Sequence, residues 1–388
     1  MWQINSYQME KALIIGGVSG IGWTIALRLA KSGRIVTIVD RKVPEGVLPD
    51  NINYQYADLL TTDYKWLEDY KDITYLFYSA GFGRVAPFES LLPKEIENLF
   101  AVNTVGVFKV LNFYADRLRD ASPFYCGVMV SIAARIASPL FSIYSASKAA
   151  LFRGIEAINT ELEMSGATNR VLEVSPGSIK GTSFSGGKTD VSMTESLGES
   201  IIRAMEAHDT VLIPDYDSVF KDVIGRYNSD SRQFAIDSYN YKIQGNRLNL
   251  KPQLTVGYLS GTFDLFHIGH LNLLKRAREH CDYLVVGVHK DASHKGKKTV
   301  IPFEERKAIV EGVRYVDKVI ESEREDCDVY IKGILKYNKL FVGSDYKGSE
   351  RFNRYEEYFA DKDVEIVYFP YTQGRSSTQL REELISEK

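Results

Sequence analysis

Short apolar runs alternating with amphipathic stretches recur along most of this chain. Runs at 12–15, 35–39, 75–78, 127–130 and 170–174 contain few polar residues, the pattern of strands buried on both faces of a sheet. Helical patterns fill most of the gaps, which predicts a doubly wound parallel sheet. A run at 54–58 predicts a third strand, and 210–213, just before Pro214, a last one. Between 228 and 252 the chain turns polar, so a linker is expected at 236–253. A second series opens at 255–259 and continues through 283–288 and 339–342 to 364–369. The expected fold is α/β: two doubly wound Rossmann-like domains, each a parallel sheet flanked by helices, at 1–235 and 254–388.

Composition narrows the function classes. A length of 388 residues suits two cores. A net charge of −3 gives no electrostatic argument for nucleic acid or an anionic membrane. Cys126, Cys281 and Cys327 have no close spacing, which argues against a disulfide framework or zinc site. The N-terminus lacks a charged region followed by an apolar one, and no run is long enough to span a bilayer. A cytoplasmic location is expected.

Gly16-x-x-x-Gly20-x-Gly22 directly follows the first strand and opens a helix. Glycines there let the backbone approach a pyrophosphate, whose charge meets the unsatisfied N–H groups of the helix start. Ser19 and Ile21 belong to the same turn. Asp40 ends the second strand, where a carboxylate accepts from ribose hydroxyls, and Asp58 ends the third, near the expected adenine. Ala80 and Gly81 end the fourth strand and wall the same crevice. Asp40 repels a 2′-phosphate and favours NAD, whereas Arg41 and Lys42 would accommodate NADP.

Tyr144 and Lys148 are four residues apart and share a helix face. An ammonium beside a phenol favours phenolate, so the phenol pKa is expected to fall toward the working range. Ser131, at a strand end, can hydrogen-bond a substrate carbonyl, and Asn103 can hold a water that returns the proton. By residue and spacing, 10–225 resembles the short-chain dehydrogenase/reductase family, with Pro176-Gly177 after the sixth strand also matching. The resemblance implies Tyr144 as acid/base, Lys148 as its partner and ribose ligand, Ser131 as carbonyl orienter and Asn103 as proton-relay anchor. It also implies homodimers or tetramers. Lys180, in the loop after Pro176, would meet a substrate phosphate or face water.

The second half opens with Gly261-Thr262-Phe263-Asp-Leu-Phe-His267-Ile-Gly-His270 between a strand and a helix. Two imidazoles near a helix N-terminus can donate to an α-phosphate as charge builds on its oxygens. Zinc is the competing reading of the pair, but no third ligand lies close in sequence. Residues 255–385 resemble the nucleotidyltransferase family with the His-x-Gly-His signature, in its glycerol-3-phosphate cytidylyltransferase-like branch. Lys295-Gly-Lys297-Lys298, Pro302-Phe-Glu-Glu-Arg306 and Val313-Arg314-Tyr-Val-Asp317 carry that resemblance. It implies that Lys295, Lys297, Arg306 and Arg314 neutralise phosphates, and that Ser376, Ser377 and Thr378 hold the β- and γ-phosphates of CTP with Mg²⁺. Tyr371 stands where that branch has an arginine, which leaves the acceptor open.

Together these features predict reduction of a sugar phosphate with NAD(P)H to a polyol phosphate. Coupling of that product to CTP would then give a CDP-alditol and pyrophosphate for surface polysaccharide synthesis. The alternative is an adenylyltransferase whose reductase half only binds or dimerises.

Overall fold

A computed structural model describes residues 9–182, 184, 189–250, 254–291, 298–322 and 327–370. The chain divides into two compact units, 1–251 and 252–388.

The first unit holds strands β1 (Lys11–Ile15), β2 (Ile35–Asp40), β3 (Ile52–Tyr56), β4 (Tyr75–Tyr78), β5 (Tyr125–Met129), β6 (Val171–Val174) and β7 (Val211–Leu212). They pair in parallel in the order β3-β2-β1-β4-β5-β6-β7. The chain runs outward from β1 to β3 and then returns to the other side of β1, so a crevice opens between β1 and β4. Two apolar layers sandwich the sheet. One forms around Leu13, Leu76, Val110 and Leu151, and the other around Ile14, Ile25, Phe77 and Ile201. Val, Ile, Leu and Phe at successive strand positions bury both faces, hence the unbroken apolar runs.

The first part of the polar stretch read as a linker is helical, and 245–250 is not. Helices Lys221–Ser229 and Ser231–Gln244 occupy it, and the second is N-capped by Asp230, which accepts from Gln233 N at 2.9 Å. Its polarity reflects exposure: Lys242 is the buried residue of helix Ser231–Gln244.

The second unit holds β8 (Val256–Gly261), β9 (Tyr283–His289), β10 (Lys318–Ser322), β11 (Lys339–Gly343) and β12 (Glu365–Phe369), all parallel in the order β10-β9-β8-β11-β12. Its crevice lies between β8 and β11. The run Lys318-Val-Ile-Glu-Ser of β10 mixes charged and apolar residues because it is an edge strand, and it is absent from the sequence-based series. No helix among the described residues is long and apolar enough to cross a membrane.

Candidate functional sites

In the first unit the glycine turn sits at the β1 end of the crevice. Gly16 has φ +81°, and a Cβ there would come within 2.4 Å of the Ala80 nitrogen. A Cβ on Gly22 would lie 2.3 Å from the Gly16 carbonyl oxygen. Both positions therefore exclude any side chain, and the turn brings Ser19, Gly20 and Ile21 to the start of helix Gly20–Lys31. The Asp40 carboxylate accepts from Val18 N at 3.2 Å and Lys42 N at 3.0 Å, which ties the turn to the end of β2. Arg41 is exposed beside it. Asp58 lies two residues beyond β3 and closes a local turn, accepting from Leu60 N at 3.0 Å. These residues fit a dinucleotide: a bare turn at a helix start, with an oriented carboxylate at the next strand end.

Deeper in the crevice, helix Ser142–Met164 carries Tyr144 and Lys148, which are 7% and 2% exposed. Ser131 follows β5, and its Oγ accepts from Ala133 N at 3.2 Å. A hydrogen bond with Ser131 pulls the Tyr144 phenol pKa down, but burial dominates and pushes it up to about 12. Phe141 stacks on the Tyr144 ring at 4.2 Å, and Phe184 tilts against it at 5.3 Å. Lys148 Nζ donates to the Met129 carbonyl at 2.7 Å and lies 5.9 Å from the centre of the Tyr144 ring. Burial lowers its pKa to about 7.

These values correct the expectation of a lowered phenol pKa. Desolvation disfavours both the phenolate and the ammonium, and it is the leading cause of both shifts. Tyr144 is a neutral phenol across the physiological range, which is the form that donates a proton.

Asn103 occupies a π-helical turn, Ala101–Val105, of the kind that often marks functional positions. Its Oδ1 accepts from Phe82 N at 3.0 Å, and its Nδ2 donates to Phe82 O at 2.8 Å and Ser147 Oγ at 3.3 Å. The amide thus fixes the loop after β4. A Cβ on Gly81 would lie 3.2 Å from Asn103 Oδ1 and 3.4 Å from Lys148 Nζ, so the loop backbone closes over both groups. Gly83 was missed by the sequence reading, yet a Cβ there would come within 2.5 Å of the Tyr144 ring. Pro176 is buried, and its carbonyl accepts from Ile132 N at 3.0 Å. Gly177 packs under Phe220, whose ring would lie 2.5 Å from a Cβ. Lys180 is exposed. A cavity of about 1290 Å³ between this helix's other face and Tyr216–Asn228 is lined by none of Ser131, Tyr144 and Lys148.

In the second unit the turn after β8 places Phe263 and Leu265 at φ +51° and +50° and delivers His267 to the N-cap of helix Ile268–Glu279. His267 Nδ1 accepts from Gly269 N at 3.0 Å, and His270 Nδ1 accepts from His267 N at 3.4 Å. The rings stack with centroids 4.1 Å apart. With each Nδ1 accepting, the proton of each neutral ring resides on Nε2, so both imidazoles are donors without being cations. Burial lowers the His267 pKa in keeping with this.

Gly261 and Thr262 lead into the turn, and Phe263 is buried and tilted against His270 at 5.3 Å. Asp264, also missed in the sequence, is buried and accepts from Val300 N at 3.0 Å and Ile301 N at 2.9 Å. It joins the signature turn to the approach of helix Phe303–Glu311. A second missed element is the turn Ser344–Tyr346 after β11, on the other bank of the crevice. The rule that ligands sit at the switch point of a parallel sheet would have found it.

Arg306 corrects another expectation. It is fully buried, and its guanidinium donates to the carbonyls of Ile301, Thr262, His289 and Lys290 at 2.9, 2.5, 2.8 and 2.8 Å. A guanidinium committed to four carbonyls positions the loops around the crevice and does not reach a phosphate. Arg314 is exposed, donates to Tyr315 OH at 2.9 Å and lies over that ring. Lys298 is exposed as well. Lys295, Lys297, Ser376, Ser377 and Thr378 lie outside the described residues.

Comparisons with known proteins agree with this division. The short chain dehydrogenase family model matches residues 10–191, and the cytidylyltransferase-like model matches 258–383. Glycerol-3-phosphate cytidylyltransferase of Bacillus subtilis is 40% identical over 133 residues, 32% of this chain and 92% of that protein. An uncharacterized oxidoreductase of Saccharomyces cerevisiae is 27% identical over 189 residues, 45% of this chain and 61% of that protein. A short-chain dehydrogenase structure from Burkholderia cenocepacia, in complex with NADP, is 25% identical and covers 58% of this chain and 94% of its own, with a TM-score of 0.47. The chain belongs to the cytidylyltransferase family through its second unit, and its first unit is a short-chain dehydrogenase/reductase domain. It is an oxidoreductase and a nucleotidyltransferase in one polypeptide.

Proposed function

We propose that the first unit reduces a ketose or aldose phosphate to a polyol phosphate and that the second couples this product to CTP. One observation carries the reading. The second unit is similar to an enzyme named for glycerol 3-phosphate, a polyol phosphate, and it shares a chain with a short-chain dehydrogenase domain that holds a buried, protonated phenol. A polyol phosphate is the product of reducing a sugar phosphate at its carbonyl carbon, so the two activities join at one metabolite.

A nicotinamide dinucleotide would supply the hydride, with the Gly16–Gly22 turn holding its pyrophosphate, Asp40 its adenosine ribose and Lys148 its other ribose. Asp40 favours NADH by repelling a 2′-phosphate, while exposed Arg41 is the group that would admit NADPH. In the reduction, Ser131 hydrogen-bonds the substrate carbonyl oxygen. Tyr144 donates its phenolic proton to that oxygen as hydride reaches the carbon, yielding the alcohol. Lys148, between Tyr144 and Met129, holds the proton path, and Asn103 keeps the Phe82 loop closed over it.

In the second reaction a phosphate oxygen of the polyol phosphate attacks the α-phosphorus of CTP, supplied with Mg²⁺. The bond to the bridging oxygen breaks and pyrophosphate leaves. His267 and His270 stabilise the charge gathering on the α-phosphate through their Nε2–H groups.

The test is a panel of dihydroxyacetone phosphate, ribulose 5-phosphate, xylulose 5-phosphate and fructose 6-phosphate, each with NADH or NADPH and with CTP or ATP. A CDP-alditol formed only when both nucleotides are present is the expected result. Pyrophosphate release with ATP but not CTP, or no coenzyme oxidation with any member, would overturn the reading.

A further inference from the structure

Two loops frame Tyr144. One follows β4 and presses Gly83 against the phenol ring, and the other, 135–141, ends in the Phe141 ring stacked on it. Ala86 N donates to Leu140 O at 2.6 Å and joins the loops, with Leu140 held at φ +62°. The base of the second loop is fixed from inside by Ser145, whose Oγ donates to Ala133 O at 2.6 Å and Ile136 O at 3.1 Å.

Its outer turn is held by helix Ser231–Gln244. Lys242 Nζ donates to Ser138 Oγ at 2.8 Å, Pro139 O at 2.7 Å and Ser238 Oγ at 3.1 Å. This helix leaves Ile236, Tyr239, Tyr241 and Ile243 exposed and buries an amine, so it docks by hydrogen bonds and not by an apolar stripe. Burying an ammonium is unfavourable unless its donors are matched, and here three acceptors match them. Five residues past the helix, Asn249 N donates to Val85 O at 2.8 Å, and its carbonyl accepts from Arg84 at 2.8 Å. The same segment thus grips both loops.

We propose that residues 231–249 form a third wall of the reductase site, with Lys242 as a positioning residue that sets where the sugar phosphate lies against Tyr144. The inference rests on Tyr144 being the proton donor. A fixed Pro139–Phe141 turn holds the Phe141 ring on the phenol, and loss of the latch frees that turn. Lys242 itself bonds only Ser138, Pro139 and Ser238, so its loss leaves the contacts of the glycine turn and of Asp40 in place.

The experiment uses the full chain, the panel member reduced fastest, and Lys242→Met, Lys242→Arg and Tyr144→Phe. Lys242→Met should raise KM for the sugar phosphate about tenfold with a smaller change in kcat, since positioning is shared by ground and transition states. Coenzyme affinity, read by NAD(P)H fluorescence, and CTP-dependent pyrophosphate release should stay at wild-type values. Lys242→Arg, which retains charge and donors, should recover most of the loss. A merely structural role would move coenzyme affinity together with KM, and that result overturns the proposal. An unchanged KM in Lys242→Met beside an inactive Tyr144→Phe overturns it alone, whereas a fully active Tyr144→Phe, or a panel without any reduction, removes the underlying reading as well. If Lys242→Met does not fold, Ser138→Ala takes its place: a KM rise of about threefold is expected from the lost acceptor, and no rise overturns the proposal.

Discussion

The two sites solve opposite electrostatic problems. In the first unit Tyr144 and Lys148 are sealed from water, and burial drives both toward their neutral forms, the phenol up to about 12 and the amine down to about 7. In the second unit His267 and His270 stand at a helix start, where backbone N–H groups fix their tautomers and leave both as neutral donors. Proton donation to a carbonyl needs a dry, protonated phenol. Binding a triphosphate needs several donors and tolerates water, because the ligand brings its own charge. Desolvation acts in both units, lowering the His267 pKa as well, but only in the second do backbone N–H groups also dictate which ring nitrogen keeps the proton.

The largest effects should separate the sites. Tyr144→Phe should lower carbonyl reduction about 10²–10⁴-fold and leave pyrophosphate release from CTP intact, as measured by paired assays on one preparation. His270→Ala should reverse the pattern, lowering transfer about 10²–10³-fold while reduction continues. Joint loss of both activities in either variant, with the fold intact, would break the comparison.

Gly83→Ala should cost about 10²-fold in reduction, because its methyl group would displace the Tyr144 ring from a spacing of 2.5 Å. Coenzyme binding measured by fluorescence should persist. Arg306→Met should strip donors from four carbonyls, the buried His289 carbonyl among them, and destabilise the second unit by about 3 kcal/mol, seen as a separate early transition in urea. The reductase activity of that variant should survive.

A further effect concerns pH. Lys148 titrates near pH 7 in the fold and near 10.5 when unfolded. Above pH 7 the unfolded chain binds the extra proton, so stability rises with pH between these values. Tyr144 titrates later in the fold than unfolded, so its contribution falls above pH 10. Lys148→Met should flatten the rise in melting temperature between pH 7 and 10, and an unaltered slope would show that the amine is solvated.

How much of this was legible depended on whether a signal was local. The glycine turn, the Tyr144/Lys148 pair and the His267/His270 pair are each set by spacing within one helix or turn, and the structure brings each pair together. The strand series was readable because both sheet faces are buried, while edge strand β10, half solvated, lost its apolar signature. Gly83 and Asp264 act across the fold, on Tyr144 and on the backbone of Val300 and Ile301; Asp264 lies within the signature string, but its partners are more than thirty residues away.

The sequence alone determined two parallel α/β units and which pairs of candidate residues share a turn or helix face, since periodicity and short-range spacing are properties of the chain. Tertiary structure decided protonation and allegiance. The phenol rose instead of falling because Phe141 and Phe184 enclose it. Arg306 went to carbonyls because three loops converge on it. The first part of the polar stretch became a helix docked through Lys242 because loop 135–141 offers that amine its acceptors. Desolvation and long-range hydrogen bonding depend on what surrounds a group in space, and no reading along the chain contains that.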